Sequence, residues 1–444
     1  MNTSRIVQVF FICILTISLI PQVQAIEPAW VYPLNGVEIG NIAVSSDGST
    51  IVVAADQLLF FLKDGTLVKK EPYAQKVVLT PSGRYAVSSF ADTLKFYRSP
   101  ITTGSPDPRE LDKIWESSLP NLIHSIDMTD NGRTIVAATE GNGIYFITTE
   151  TEKMVSNDTL SNTIIRISHD GSRIVGISAD KIRVYSSNAK VSKNYNPASI
   201  LEPEFMFLSQ TIPLMVYNDG KTIYWFDVNL GEELWQVTAP GYPTSLAMTP
   251  SGSFVIVGTE NGNIVRYTDK GILNWSYSSN EETILAPGIT ALAVSKDGAR
   301  VAAGSSDGKI LILDGSGKLV GSYQAKDPIM SMTISSDGSS VLAADETTIY
   351  AFTSGPSSAP VSYYQFDPKN LTQGSQNNSS QNMTTPRNLT INTSPAKTSA
   401  ARTITELPTT YSIIRTATQS PVPAIIPLSG ILIAVVLLAW RRTD

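Results

Sequence analysis

Cysteine is almost missing from this chain. The single thiol, Cys13, lies in an apolar stretch near the start, so the rest can form no disulfide, thiolate nucleophile or sulfur–metal bond. Histidine is nearly as scarce: His124 and His169 are the two present, which removes most zinc-type ligand sets and leaves a Ser-His-Asp hydrolase little to build on. His169 falls in a turn, Ser168-His-Asp-Gly171, where solvent exposure is expected. Dense basic runs are absent from the body, and Lys+Arg 33 against Asp+Glu 39 gives a net charge of −6, so no nucleic-acid partner is expected. No catalytic constellation emerges from the pattern, and the chain reads as a non-enzyme.

The two ends point to a compartment. Arg5, the apolar run Ile6 to Ile20 and the segment Pro21-Gln-Val-Gln-Ala25, with small residues before a cleavage point, make residues 1–25 a secretory signal peptide. A retained N-terminal anchor is the alternative, and either version sends the body across the membrane. Ala424 to Trp440 is almost wholly apolar and Arg441-Arg442 follow it, so residues 421–440 are expected to span a bilayer with residues 441–444 as a cytoplasmic basic tail. The body is then extracellular on a single-pass membrane protein. Val422-Pro423-Ala-Ile-Ile-Pro427, the apolar helix and the closing arginines resemble archaeal surface-sorting tails of the Val-Pro-x-x-x-Pro type. That resemblance implies a tail cut by a sortase-like membrane protease and exchanged for another anchor, a plain C-terminal anchor being the alternative. Residues 355–420 are rich in Ser, Thr, Asn, Gln and Pro and cannot bury enough apolar surface to offset chain entropy, so they read as a disordered stalk. Asn370, Asn377, Asn378, Asn382, Asn388 and Asn392 each open a glycosylation sequon there.

Between the ends one pattern recurs. A short alternating strand leads into a turn of the form Ser/Thr-x-Asp/Ser/Asn-Gly, at Gly48, Gly83, Gly132, Gly171, Gly252, Gly298 and Gly338. A second strand with small residues follows (IVVAAD, VAAGSSD), then a third rich in Ile, Leu and aromatics (LLFFL, KILIL). The glycine spacings are 35, 49, 39, 81, 46 and 40, and the long interval hides a degenerate unit. In it Glu204 to Ser209 supplies the first strand and Leu214 to Tyr217 the second, with Ile212-Pro213 where the turn glycine should be. The count is then eight units over residues 26–354, with seven as the alternative.

Four short strands per period, apolar on both faces, must pack against a neighbour on either side, which a closed ring satisfies and a linear stack does not. The expected fold is all-β, an eight-bladed β-propeller. Fourth strands follow Gly-x-x-x-Trp at Gly231 to Trp235 and Gly271 to Trp275, and Lys113-Ile-Trp115 keeps the tryptophan; Lys69, Val155 and Gly321 stand at that position elsewhere. The last unit ends after Thr348 to Phe352 without a fourth strand, and Pro28-Ala-Trp30-Val-Tyr-Pro33 has the character to supply it and latch the ring. Over residues 28 to 353 the repeats resemble WD-repeat and pyrroloquinoline-quinone-type (PQQ-like) propellers. The Gly-x-x-x-Trp element and the eight-fold count lean to the quinoprotein-like branch, a resemblance that implies a fold and not a cofactor.

The turn between second and third strands carries a carboxylate in every unit: Asp56, Asp92, Glu140, Asp180, Asp219, Glu260, Asp307 and Asp345. Such residues shape tight hairpins by bonding their own backbone; the second reading is a ring whose summed field holds calcium or a cationic ligand. Longer connections are expected at Ser192 to Glu202 and Ser279 to Pro287 on the same face, and an insertion at Ser99 to Asp112 on the opposite one. Phe205, Phe207, Tyr224 and Trp225 of the degenerate unit are assigned to the core between blades. The functional reading is a cell-surface binding or scaffold module for an extracellular protein or glycan. A PQQ- or metal-dependent oxidoreductase and a carbohydrate-binding sensor are the alternatives.

Overall fold

A computed structural model of the chain describes residues 25–34, 37–99, 112–141, 143–158, 160, 163–196, 203–278, 286–353 and 362–363. The chain divides into two units, residues 1–414 and 415–444, and the second lies wholly outside the described residues. Residues 1–24, the six sequon asparagines, and Val422, Pro423 and Pro427 of the tail motif also lie outside them. Among the described residues no helix is long and apolar enough to cross a membrane.

Among the described residues eight sheets succeed one another along the first unit, seven antiparallel sheets of four strands and an eighth of five. They form blades 1 to 8: residues 41–72, 76–118, 123–158, 164–195, 206–238, 243–278, 289–324, and 331–353 with Trp30–Pro33. In blades 1 to 7 the sequence order is the spatial order, an up-and-down meander whose first strand is innermost, and blade 8 departs from it only in taking its fourth strand, Trp30–Pro33, from the start of the chain. The inner two strands do not alternate between wet and dry faces. Thr50–Ala54, Ile174–Ile177 and Ile289–Val294 are buried at every residue, as strands must be when both faces pack against other sheets. Between blades 7 and 8, for example, Ala291, Ala293 and Ile310 meet Met332, Ile334 and Val341. Outer strands lose that constraint, and Glu232–Thr238 is exposed at nearly every position.

The turn between first and second strands is set by three residues acting together. In blade 1 the Ser45 hydroxyl donates to Asp47 (2.7 Å) and accepts from the Thr50 N–H (2.9 Å), while Asp47 accepts from the Ser49 N–H (2.9 Å). Ser168/Asp170, Ser295/Asp297 and Ser335/Asp337 repeat this set. The glycine that follows sits at φ of +70 to +76° in all seven regular turns, a region that side chains avoid. Blade 5 solves the same problem without it. The Ser209 hydroxyl lies within reach of the Thr211 and Ile212 N–H groups (3.4 and 3.3 Å) and donates to the Pro250 carbonyl of blade 6 (3.2 Å).

Closure follows the sequence expectation and adds to it. Trp30–Pro33 pairs antiparallel with the third strand of blade 8, Trp30 opposite Ala351 and Pro33 opposite Thr348. Trp30 is 2% exposed, stacks on Phe61 of blade 1 at 5.7 Å and donates its indole N–H to the Lys63 carbonyl (2.9 Å). A Cβ on Gly65 of that blade would lie 2.7 Å from the Trp30 ring. Gly-x-x-x-Trp is therefore two half-sites: each tryptophan docks on the turn glycine of the next blade. Trp275 does so on Gly317, with its N–H on the Gly315 carbonyl (3.1 Å), and Trp235 covers Gly271. Tyr195 takes the part on Gly231. The register puts Lys69, Val155 and Gly321 at the tryptophan position as expected, and Lys193 with them.

Three features differ from the sequence reading. The connection expected at 192–202 starts later, because Val191–Tyr195 is the outer strand of blade 4, held by the ladder to Ile182–Tyr185. Asp112 likewise opens a strand, Asp112–Ser118, and is not the end of an insertion. Residues 197–202, 279–285 and 100–111 lie outside the described residues. Blade 8 also gains a fifth strand: Ser362–Tyr363 pairs parallel with the outer edge of Trp30–Val31.

Candidate interaction surface

In this meander the second-to-third turns and the connections between blades share one end of the ring, the connection end. First-to-second and third-to-fourth turns share the other, the turn end. All eight carboxylates proposed as a ring, Asp56, Asp92, Glu140, Asp180, Asp219, Glu260, Asp307 and Asp345, lie at the connection end. They are not equivalent. Asp345 is fully buried, accepting from the Thr347 and Thr348 N–H groups (2.8 and 2.7 Å) and from the Tyr350 hydroxyl (2.8 Å), so it belongs to its own turn and not to a solvent-facing ring. Asp307 serves its turn through Ser305, Asp180 reaches Ser178 and Lys181, and Glu260 takes the Tyr242 N–H (3.3 Å). Among the described residues no group of three His, Cys, Asp or Glu converges as a metal site.

The turn end opens into a basin of about 640 Å³ where the turns of six blades meet the central channel. The second residue of each turn points its N–H at its neighbour around the ring. Ser46 donates to Pro81 (2.8 Å), Asp130 to His169 (3.3 Å), Gln210 to Pro250 (2.8 Å), Lys296 to Ser336 (3.0 Å) and Ser336 to Ser46 (2.9 Å), all to backbone carbonyls. His169 donates instead to the Gln210 side chain. Pro81 and Pro250 have no N–H to give, so the circle is interrupted at blades 2 and 6. Burial acts to raise the Asp47, Asp297 and Asp337 carboxyls, but the serine hydroxyl and backbone N–H groups on each outweigh it and hold all three below the usual range. These anions share the basin with Lys296. His169 is not the exposed turn residue expected; it is half-buried against Asp130 of blade 3. Burial lowers its basicity.

At the rim of the same end, blades 5 and 6 expose a contiguous apolar group. Leu230, Leu234 and Trp235 of blade 5 and Ile272 and Leu273 of blade 6 are 37 to 64% exposed, and Trp235 lies directly on the Gly271 turn, which joins the two sets. Phe205, Phe207 and Trp225 are buried between blades, as assigned, while Tyr224 is half-buried and stacks on Tyr217 at 5.0 Å.

A last cluster escaped the sequence reading. The inner strands carry a second circle of contacts toward the connection end, from side chain to the next blade's backbone. The Asn41 side chain both donates to and accepts from Val77 (2.8 Å each), Ser245 donates to Ile289 (2.9 Å), and Ser331 accepts from Ile42 (3.2 Å). In blades 2 to 4 this circle turns ionic. Lys76 donates to the His124 carbonyl, and the Arg166 guanidinium bonds the Ser125 hydroxyl (3.2 Å) and the Ile165 carbonyl (2.8 Å). Asp127 accepts from the Met128 and Ile167 N–H groups (2.9 Å each). Burial, reinforced by Arg166, lowers the Lys76 ammonium to about 8; burial, with Lys76 and Arg166, lowers His124 to about 4. Lys76, the stretch His124 to Asp127 and Arg166 lie some 40 to 50 positions apart on three blades, so only the ring brings them together.

Similarity to known proteins agrees with this geometry. The Vps8 beta-propeller family matches residues 235–399. The Chaetomium thermophilum Sqt1 structure superposes with a TM-score of 0.63 at 14% identity, covering 74% of this chain and 100% of that one, in a complex with the N-terminus of the ribosomal protein L10. The C-terminal WD40 domain of Sif2 gives 0.61 at 14% identity over 75% and 99%, and the Dos1 propeller 0.59 at 10% over 77% and 98%. The chain folds as a WD40-type β-propeller. No curated protein matches it in sequence. At such identities the likeness is one of fold, and function has to be argued from the surfaces above.

Proposed function

We propose that this WD40-type propeller is a non-enzymatic interaction module that binds a protein partner on its turn end, held at the outer surface of a membrane by its C-terminal apolar segment. The observation that carries the reading is the apolar group Leu230, Leu234, Trp235, Ile272 and Leu273, exposed on two neighbouring blades at the end that also holds the Asp47, Asp297 and Asp337 basin. Contiguous exposed apolar side chains that include a tryptophan are the composition of a binding hot spot, and anions nearby favour a partner with basic residues at its margin. The signal-peptide pattern of residues 1–25 and the apolar run with Arg441-Arg442 support the location. In Sqt1 a propeller of similar fold binds the N-terminus of a ribosomal protein, which supports a protein segment as the ligand class.

The experiment is affinity capture from the native cell surface with the full chain and with a Leu230→Asp, Ile272→Asp double variant. Both substitutions are at exposed positions, so circular dichroism should be unchanged. A partner retained by the native chain and lost by the variant is the expected result; identical capture by both sinks the reading.

A further inference from the structure

The inner wall of blades 2 to 4 holds charge that the propeller's architecture does not need. At the position of Asp127 and Arg166, one turn-ward step in each inner strand, the other blades place Ala43, Val78, Phe207, Ala247, Ala293 and Thr333. At the position of Lys76, blades 1, 3, 6 and 8 use Asn41, Ser125, Ser245 and Ser331 to staple the next blade, a task that requires no charge. Lys76 makes the staple with a neutral carbonyl as its one acceptor among the described residues, leaving two ammonium protons uncommitted. The His124 imidazole beside it has no hydrogen-bond partner among the described residues. Neither side chain is sealed: both keep partial exposure on strands that surround the channel.

Compensating charges are present but already engaged. Asp127 has both oxygens on backbone N–H groups, and Arg166 lies beside it, 91% buried by its 9% exposure. Glu140, the one acidic group of the connection end that acts on Lys76, is exposed on its turn, where water screens it. The surplus is one half-buried ammonium, an arrangement that partial burial disfavours. We infer that Lys76 and His124, backed by Arg166, form an oxyanion site in the channel wall that takes a carboxylate or phosphate group. The ammonium and an imidazole N–H donate to the anion's oxygens, and Arg166 adds its field from the adjoining strand. No bond is made or broken. The site stands apart from the turn end and does not depend on the protein-partner reading.

Calorimetric titration of the full chain with sodium sulfate, phosphate and acetate, at constant ionic strength against chloride, tests it. The expected result near neutral pH is saturable uptake of at least one of the three that weakens about tenfold or more in Lys76→Met and is retained in Lys76→Arg. Phosphate or sulfate active with acetate inert assigns a phosphoryl-type group; acetate active assigns a carboxylate. Sulfate keeps its charge as pH rises, so its affinity must fall above about pH 8 as Lys76 deprotonates. No saturable heat with any anion, equal heat in Lys76→Met, or a sulfate affinity indifferent to pH through this range overturns the inference. The pH series uses the native chain, so it decides even if a variant fails to fold.

Discussion

Lys76 is stable where it is at some expense to the fold, and the sign of that expense can be worked out. Its folded-state value, about 8, lies below the ordinary 10.5, so between the two the unfolded chain binds more protons than the folded one. Stability must therefore rise as pH climbs from about 8 toward 9.5, and Lys76→Met should abolish the rise while stabilising the protein near neutrality, on the order of 2 kcal/mol. Urea midpoints across that range measure it. Asp170 runs the other way. Burial would raise it, yet the Ser172 and Ser168 bonds and Arg173 hold it at about 2, below its ordinary 3.8. Its contribution is complete above about pH 4 and is lost as pH falls through 2, and Asp170→Asn should flatten that acid limb. Gly65 is a steric case: at φ +87°, with Trp30 ring carbons 2.7 Å from where a Cβ would sit, Gly65→Ala should cost about 2 kcal/mol or more by chemical denaturation.

At the level of elements, the staples between inner strands predict where the ring is tied. Asn41 gives and takes a hydrogen bond at Val77 (2.8 Å each), so Asn41→Ala strands a buried N–H and a buried carbonyl at once and should cost roughly 2 to 4 kcal/mol. Amide hydrogen exchange should show the loss at Val77 first. The repeats, the turn glycines, the degenerate blade and the latch at Trp30 were all legible in the sequence. Each depends on local chemistry: a hydroxyl, a carboxylate and a glycine at fixed spacing, or alternating apolar residues. What was not legible was whatever depends on which blades become neighbours. The tryptophan half-sites looked like one motif because Gly231 and Trp235 are close in sequence, although Trp235 serves Gly271. Lys76, His124 and Arg166 gave no sequence signal, since isolated charges in strands look like solvated faces. The acidic turns were read correctly in place, but Asp345 shows that a shared position does not ensure a shared environment.

For the molecule as a whole, the question is what makes eight similar sheets behave as one body. An open array of repeats gains or loses stability one interface at a time, whereas a ring has no terminal repeat and closes through a single non-covalent joint. That joint is short: one strand, Trp30–Pro33, paired to Thr348–Thr353, with the Trp30 ring seated on Gly65 and Phe61. Trp30→Ala removes a buried ring and its hydrogen bond to Lys63, worth roughly 3 to 5 kcal/mol locally. The larger consequence is topological. With the joint loosened, blades 8 and 1 acquire exposed faces and the third strand of blade 8 an unpaired edge, which invites pairing between molecules. The native chain should then unfold in a single urea transition by fluorescence and circular dichroism alike. Trp30→Ala should unfold over a broader range with a smaller dependence on urea, and should populate oligomers by sedimentation. A sharp, monomeric, two-state unfolding of the variant would mean that the sheets hold one another without the latch, and that closure is a consequence of packing between blades and not its condition.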